Sequence, residues 1–193
     1  MSAPLTRFAA TRLLAERLRN EVVVSNLGQA TLDLQNVADR PLNYYTFGSL
    51  GQCSSIALGI ALARPDVRVI ALDGDGSLLM NLGSLCTIAV TAPQNYALIV
   101  WDNEVHQTTG GQPTATASGS DLTAIAFGAG VKNAMTVRTE EELRLAYDRI
   151  LAEPGPFFVC VKVVKGPAQG KLKRDVVGWA RRFKQALAEV KTA

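Results

Sequence analysis

Residues 67–77 read Val-Arg-Val-Ile-Ala-Leu-Asp-Gly-Asp-Gly-Ser, an apolar run that leads directly into alternating aspartate and glycine. The first six of these residues predict a buried strand, and residues 77–90 predict the helix that follows it. A continuous apolar strand is typical of a sheet that helices cover on both faces. The stretch therefore indicates an α/β protein with a mostly parallel sheet.

Predicted strands and helices alternate along the rest of the chain, both before and after this stretch. Helix starts are marked by Asp121 as an N-cap and by Thr139 with Glu142 as a capping box. The order predicts one domain over residues 1–193, with a doubly wound sheet and right-handed crossovers. Further strands are expected at 21–25, 96–101 and 157–164, and further helices at 5–18, 51–63, 121–127, 139–151 and the C-terminus.

Composition restricts the class of protein. The chain has 193 residues, of which 48% are hydrophobic and 19% charged, as in an ordinary globular protein. No apolar run approaches the roughly 20 residues that span a bilayer, and the first 12 residues lack the apolar centre of a signal peptide. Three cysteines without a CxxC spacing predict buried, reduced thiols in a cytoplasmic protein.

The C-terminal part is basic, with nine Lys and Arg against two acids from Lys162 onward. It contains no nucleic-acid-binding motif, so we expect neither nucleic acid nor membrane as a partner. The pattern predicts a solvated amphipathic helix or a surface that docks on a partner subunit. Its apolar stripe consists of Val176, Val177, Trp179, Ala180, Phe183 and Leu187.

Two loops that leave predicted strands carry metal-binding chemistry. Glycines on both sides of Asp75 allow the backbone to approach a ligand, and the next helix offers free N–H groups to an anion. Asn103 follows this glycine-aspartate-glycine turn after 26 residues and can supply an amide oxygen. A magnesium ion that bridges a diphosphate would use both oxygens. The alternative is a capped turn and an unrelated loop asparagine.

Two further segments complete the pattern. Residues 48–51, Gly-Ser-Leu-Gly, precede a predicted helix, where Leu50 is either a ligand contact or a core residue. Residues 26–31 follow the first strand and could contact a diphosphate through Gly28 and Gln29.

Together these motifs resemble the cofactor-binding signature of thiamine-diphosphate enzymes. The resemblance implies that Asp75, Asn103 and the main-chain carbonyl of Val105 bind magnesium. It also implies that Leu50 wedges beneath the cofactor and forces it into a V shape. With Gly28 and Gln29 from the segment after the first strand, the remaining predicted cofactor contacts are Gly48, Ser49, Gly74, Gly76 and Ser77.

Residues 22–114 are similar to the β subunits of sulfopyruvate decarboxylase and to the C-terminal part of phosphonopyruvate decarboxylase. The similarity includes FGSLGQCSSIALGIALARP, DGDGSLLMNLGSL and TGGQPT. It implies a decarboxylase of small 2-oxo acids. Residues 28–31 read Gly-Gln-Ala-Thr where that family has a Gly-Phe-Pro-Ser type segment, which leaves the substrate open. A carboligase, an acyloin or 2-hydroxyacyl lyase, and a non-catalytic cofactor-binding module remain as alternatives.

The resemblance further implies that part of the active site lies on another polypeptide. The catalytic glutamate of such enzymes comes from a pyrimidine-binding domain, so we expect it on a separate α subunit in an α2β2 or larger hetero-oligomer. His106 either moves protons or binds substrate in the active site, or it faces solvent or an interface. Residues 108–112 are expected to form a flexible cover over the cofactor.

Overall fold

The computed structural model describes residues 4–171 and 173–190. Six strands form one entirely parallel sheet: β1 (Val22–Ser25), β2 (Asn43–Tyr45), β3 (Val69–Gly74), β4 (Tyr96–Asp102), β7 (Asn133–Val137) and β8 (Phe157–Lys162). Their spatial order is β2-β1-β3-β4-β8-β7. Two short strands, β5 (Val105–His106) and β6 (Gln112–Pro113), form a separate antiparallel hairpin.

Helices cover both faces of the sheet, which confirms the predicted doubly wound fold. Alternate strand residues supply two buried cores: Val23 and Ile70 face one core, whereas Val22 and Val69 face the other. The helices are α1 (Arg7–Ala15), α2 (Gln29–Ala38), α3 (Cys53–Ala63), α4 (Asp75–Leu78), α5 (Gly83–Thr91), α6 (Leu122–Gly128), α7 (Glu140–Ala152) and α8 (Val176–Glu189).

Two strands of the main sheet, the β5–β6 hairpin and one helix were not predicted from the sequence, and another helix is divided. The edge strands β2 and β7 are short or only half-buried, so they lack the continuous apolar run of the central strands. Helix α2 was treated only as a loop after β1. The helix expected at 77–90 is split into α4, a 3-10 turn at Leu79–Asn81 and α5.

Local capping signals and cysteine burial can be compared with their predictions. The Asp121 side chain caps α6, and the Thr139–Glu142 capping box starts α7, as predicted. All three cysteines are free thiols, but the prediction that they are buried is wrong for Cys86, which is exposed on α5. In residues 4–171 and 173–190, no helix has the length and apolarity needed to cross a membrane.

The strand order determines where a ligand can enter. From β1 the chain moves to β2 on one side, and it then returns to β3 on the other side of β1. This reversal opens a crevice outside the carboxyl ends of β1 and β3, where ligands bind in open α/β sheets.

Candidate functional site

A cavity lies at this crevice. The hairpin β5–β6 and the two 3-10 turns beside it, Gln107–Thr109 and Ala115–Ser118, belong to the loop that borders it. Of the site residues predicted from the sequence, Gly28, Gly48 and Ser49 are not part of its wall. The predicted residues that line it are Gln29, Leu50, Gly74, Asp75, Gly76, Ser77, Asn103, Val105 and His106.

Asp75 begins α4 at the edge of the cavity and is 2% exposed. The hydroxyl of Thr114 donates to its Oδ2 atom over 2.6 Å, and the hydroxyl of Thr116 lies 3.1 Å from the same atom. Burial raises the pKa of Asp75, and the negative charge of Asp102 acts in the same direction. Within residues 4–171 and 173–190, no Lys, Arg or His forms a salt bridge with Asp75. This carboxylate therefore has neutral donors around it and is suited to a bound cation.

The other two oxygens of the predicted metal site belong to the Asn103 side chain and the Val105 carbonyl. The Asn103 side chain is oriented by two hydrogen bonds: its Nδ2 donates to Gln107 Oε1 (2.9 Å), and its Oδ1 accepts from Val105 N (3.2 Å). The carbonyls of Glu104 and His106 accept hydrogen bonds from Thr114 N and Gly111 N in the hairpin. Successive carbonyls of a strand point in opposite directions, so that of Val105 lies on the other edge of β5. Carboxylate, amide and carbonyl oxygens together suit Mg²⁺.

The two glycines beside Asp75 have different environments. Gly74 has an extended conformation (φ −109°), and a Cβ there would lie 3.9 Å from Asn26 Nδ2, so space remains beside it. A Cβ on Gly76 would lie 2.4 Å from the His106 imidazole, closer than non-bonded atoms can approach. Gly76 is therefore needed for the close approach of His106, which the sequence did not indicate.

His106 lines the cavity with its ring against Gly76 and is half-buried. This position favours the interpretation of His106 as an active-site residue over the interpretation that it faces only solvent. The chemical role of His106 stays a prediction.

The loop before α3 holds Leu50 toward the cavity. Gly48, Ser49 and Gly51 all have positive φ (75°, 61° and 84°), a conformation that costs Ser49 more than it costs the glycines. Gly51 N donates to Ser77 Oγ (2.9 Å), which joins this loop to α4. Leu50 is 37% exposed, so its side chain is available to a ligand and is not a core residue.

The predicted cover lies over the start of α2. Gly28 has φ 79°, and a Cβ there would lie 2.7 Å from Thr108 Oγ1. Thr108 therefore packs directly on Gly28. The Gln29 side chain accepts a hydrogen bond from Ala168 N, so it is directed at the segment after β8 although the residue lines the cavity.

Asp102 forms a second buried cluster beside Asp75. Its Oδ2 lies 2.6 Å from Lys162 Nζ, and its Oδ1 accepts from the Thr116 hydroxyl over 2.8 Å. Lys162 also contacts Glu104. Burial lowers the pKa of Lys162, but the contacts with the two acids outweigh burial and raise it overall.

Several residues of the site were not recognised from the sequence. Arg7 lies far along the chain from the other site residues, and Thr114 and Thr116 follow the predicted cover. Of the two threonines, only Thr114 belongs to the TGGQPT motif. The cavity-lining residues that the sequence did not identify as contacts are Arg7, Asn26, Leu27, Ala30, Trp101 and Gln107.

Comparison with known proteins identifies the family to which the chain belongs. Residues 26–161 match the family model described as thiamine pyrophosphate enzyme, C-terminal TPP binding domain. The chain is 47% identical over 144 residues to sulfopyruvate decarboxylase subunit beta of Methanocaldococcus jannaschii, covering 75% of this chain and 76% of that protein. It is 39% identical over 182 residues to phosphonopyruvate decarboxylase of Streptomyces viridochromogenes, covering 93% of this chain but only 45% of that protein.

The fold has counterparts among solved structures. The crystal structure of benzoylformate decarboxylase from Polynucleobacter necessarius superposes with a TM-score of 0.72 over 88% of this chain and 35% of that one. At 22% identity this similarity concerns the fold alone. The family match covers more than half of the chain and confirms the resemblance inferred from the motifs. The chain belongs to the thiamine pyrophosphate (thiamine diphosphate) enzymes and contains their C-terminal cofactor-binding domain.

Proposed function

We propose that this chain binds the diphosphate end of thiamine diphosphate through Mg²⁺ and acts as the β subunit of a two-chain 2-oxo acid decarboxylase. The observation that carries the proposal is the oxygen set of Asp75, Asn103 and Val105 at the switch point of the sheet. Asp75 is buried beside neutral hydroxyls, which suits a cation that a diphosphate shares.

The other residues around the cavity have separate roles in this proposal. Leu50 supports the cofactor from below and favours its bent conformation, since its exposed side chain projects from a loop joined to Ser77. The N-terminus of α2, at Gly28 and Gln29, offers main-chain N–H groups to the diphosphate. His106 is positioned to exchange a proton with the substrate or to orient its carboxylate. When bound, thiamine diphosphate supplies the carbon nucleophile and accepts the electrons released as carbon dioxide leaves.

The catalytic glutamate is proposed to lie on a separate pyrimidine-binding subunit, with residues 1–193 forming one diphosphate-binding domain. Large apolar side chains lie exposed around this site: Phe47 is 61% exposed, Leu50 37% and Met80 58%. Contiguous exposed apolar surface commonly marks a protein interface. Proteins named as β subunits are similar over most of their length, and 76% of the M. jannaschii subunit is covered. The assembly would be α2β2 or larger, in the cytoplasm.

The test is to co-express the chain with a candidate pyrimidine-binding partner, add thiamine diphosphate and Mg²⁺, and screen short 2-oxo acids for carbon dioxide release. We expect release with the pair and none with a pair that contains Asp75→Ala. Product analysis with an aldehyde acceptor or an acyloin distinguishes decarboxylation from carboligation and from lyase activity. Cofactor binding without turnover of any of these would favour a non-catalytic module.

A second experiment tests the two-chain arrangement. The chain alone, saturated with thiamine diphosphate and Mg²⁺, should not accelerate hydrogen–deuterium exchange at C2 of the cofactor, followed by NMR. The missing acid–base partner contributes roughly 10²–10⁴-fold by itself. Exchange as fast as in the assembled pair would contradict the arrangement, because the activating residue would then lie within these 193 residues.

A further inference from the structure

A buried ion pair borders the inner end of the cavity. Arg7, at the start of α1, is 8% exposed, and its Nε donates to Asp33 Oδ2 over 2.6 Å. Arg7 nevertheless lines the same cavity as Asp75 and Asn103. Its two terminal nitrogens form no hydrogen bond with any residue in 4–171 or 173–190. A nearly buried guanidinium thus keeps its two terminal NH2 groups available.

Asp33 holds this guanidinium in a defined position. It is 0% exposed, and its other oxygen, Oδ1, accepts from Gln169 N over 3.1 Å. Asp33 lies one turn after Gln29 on α2, so both project from the same side of the helix. Because Asp33 engages Nε, the planar fork of Arg7 is fixed beside the first turn of α2.

The charges of the cavity wall identify the kind of ligand. Among the described residues that line it, Arg7 is the one permanently charged cation, and Asp75 is the one carboxylate. A diphosphate ester carries more negative charge than a single Mg²⁺ ion can balance when Asp75 is also a ligand of that ion. Arginine matches phosphate oxygens with two parallel N–H groups, and such charge-assisted hydrogen bonds are the strong ones.

We propose that Arg7 donates its terminal N–H groups to the outer phosphate of the bound diphosphate, and that Asp33 is the residue that positions it. This inference rests on the proposed cofactor site and adds to that site a residue from α1. Arg7 then acts at the end of the diphosphate opposite the thiamine ring, while Asp75 and Asn103 act through the metal.

The experiment compares variants of the full chain in its assembled state by calorimetric titration with Mg²⁺ and thiamine diphosphate. Arg7→Met alone leaves Asp33 buried without its partner, so the main variant is the double substitution Arg7→Met/Asp33→Met. Replacing both members of a buried ion pair by apolar residues is often tolerated. We expect this double variant to fold and to bind thiamine diphosphate about 10–100-fold more weakly, the size of lost hydrogen bonds to a charged group.

Two controls separate binding from structure. Asp33→Asn retains Arg7 and should weaken binding much less than the double variant. Thiamine monophosphate lacks the outer phosphate, so its affinity should be the same for the parent and the double variant. A purely structural role of Arg7 would not distinguish the two ligands.

The outcomes are distinct. Weakening for thiamine diphosphate but not for the monophosphate supports the assignment. Parent-like binding by the double variant overturns it, and so does equal weakening by Asp33→Asn or equal weakening for both ligands. Failure of the parent itself to bind Mg²⁺ and thiamine diphosphate would instead overturn the cofactor site on which the assignment rests.

Discussion

Two buried carboxylates lie at neighbouring strand ends and differ in what neutralises them. Asp75 follows β3 and Asp102 ends β4, and each is 2% exposed. The hydroxyl of Thr116 lies within hydrogen-bond distance of both, 3.1 Å from Asp75 Oδ2 and 2.8 Å from Asp102 Oδ1. Asp102 also has the Lys162 ammonium at 2.6 Å, whereas the side chains of the described residues that hydrogen-bond to Asp75 are threonines.

The difference fits the proposal that Asp75 binds a metal ion whereas Asp102 has a structural role. A buried carboxylate is costly unless a cation or several donors compensate it. The chain supplies the cation for Asp102 from β8, so this cluster is complete without a ligand. For Asp75 it supplies neutral donors and an open cavity, and burial raises the pKa of this group. An external cation would complete the cluster around Asp75.

The largest expected effect is that of Asp75→Ala. It removes the charged ligand, and we expect the affinity for thiamine diphosphate with Mg²⁺ to fall at least about 100-fold, since loss of mere supporting contacts costs 10–100-fold. Calorimetric titration of the assembled enzyme measures it. Asp102→Asn is the matched control and should weaken binding far less. Similar losses of affinity for the two variants would contradict the assignment of Asp75 to the metal site and of Asp102 to a structural role.

Lys162→Met should affect stability more than binding. It leaves Asp102 without its ammonium, and we expect the free energy of unfolding to fall by about 1–3 kcal/mol. This is below the roughly 3–5 kcal/mol of a fully buried pair because Lys162 is 26% exposed. Urea unfolding in the presence of a chelator measures the change. Arg144→Met, which removes an exposed pair with Glu140, serves as control and should have little effect.

Asn103→Ala should weaken cofactor binding by about tenfold, because water can replace a neutral oxygen ligand but is less well positioned, a loss of about 1.4 kcal/mol. The same titration as for Asp75→Ala measures it. Gln107→Ala removes the partner of the Asn103 amide nitrogen and the hydrogen bond that Gln107 donates to the Gly166 carbonyl, and it should have a smaller effect. A loss for Asn103→Ala as large as that for Asp75→Ala would contradict the division into charged and neutral ligands.

Thr116→Val should have the smallest effect. The change keeps the shape but removes one hydroxyl, at a cost of about 1 kcal/mol of unfolding free energy. Thr114 remains 2.6 Å from Asp75, so metal-dependent cofactor binding should stay near that of the parent. Unfolding and titration of one preparation test both statements. A binding loss as large as that of Asn103→Ala would assign Thr116 to the metal site.

The predictable part of the site was local in sequence. Asp75 and Asn103 each follow an apolar strand, and both were identified from the chain before any contact was known. Arg7 and Lys162 were not identified, because each reaches the site from an element far along the chain. Thr116 was not identified, because the loop pattern did not indicate its contact with Asp75. Gly76 has a contact that the sequence did not indicate, the close approach of the His106 ring, and its predicted approach to a ligand stays a prediction.

The sequence by itself determined the α/β class, the central strands, the caps of α6 and α7, and the family to which the cofactor loops belong. These features depend on residue periodicity and on contacts within a few positions. Only the tertiary structure decided that Lys162 neutralises Asp102, that Arg7 is held by Asp33 beside the cavity, and that the hairpin lies over Gly28 and Gly76. Such pairings join residues separated by 26 or more positions, and they form because the strand order brings distant loops to one edge of the sheet.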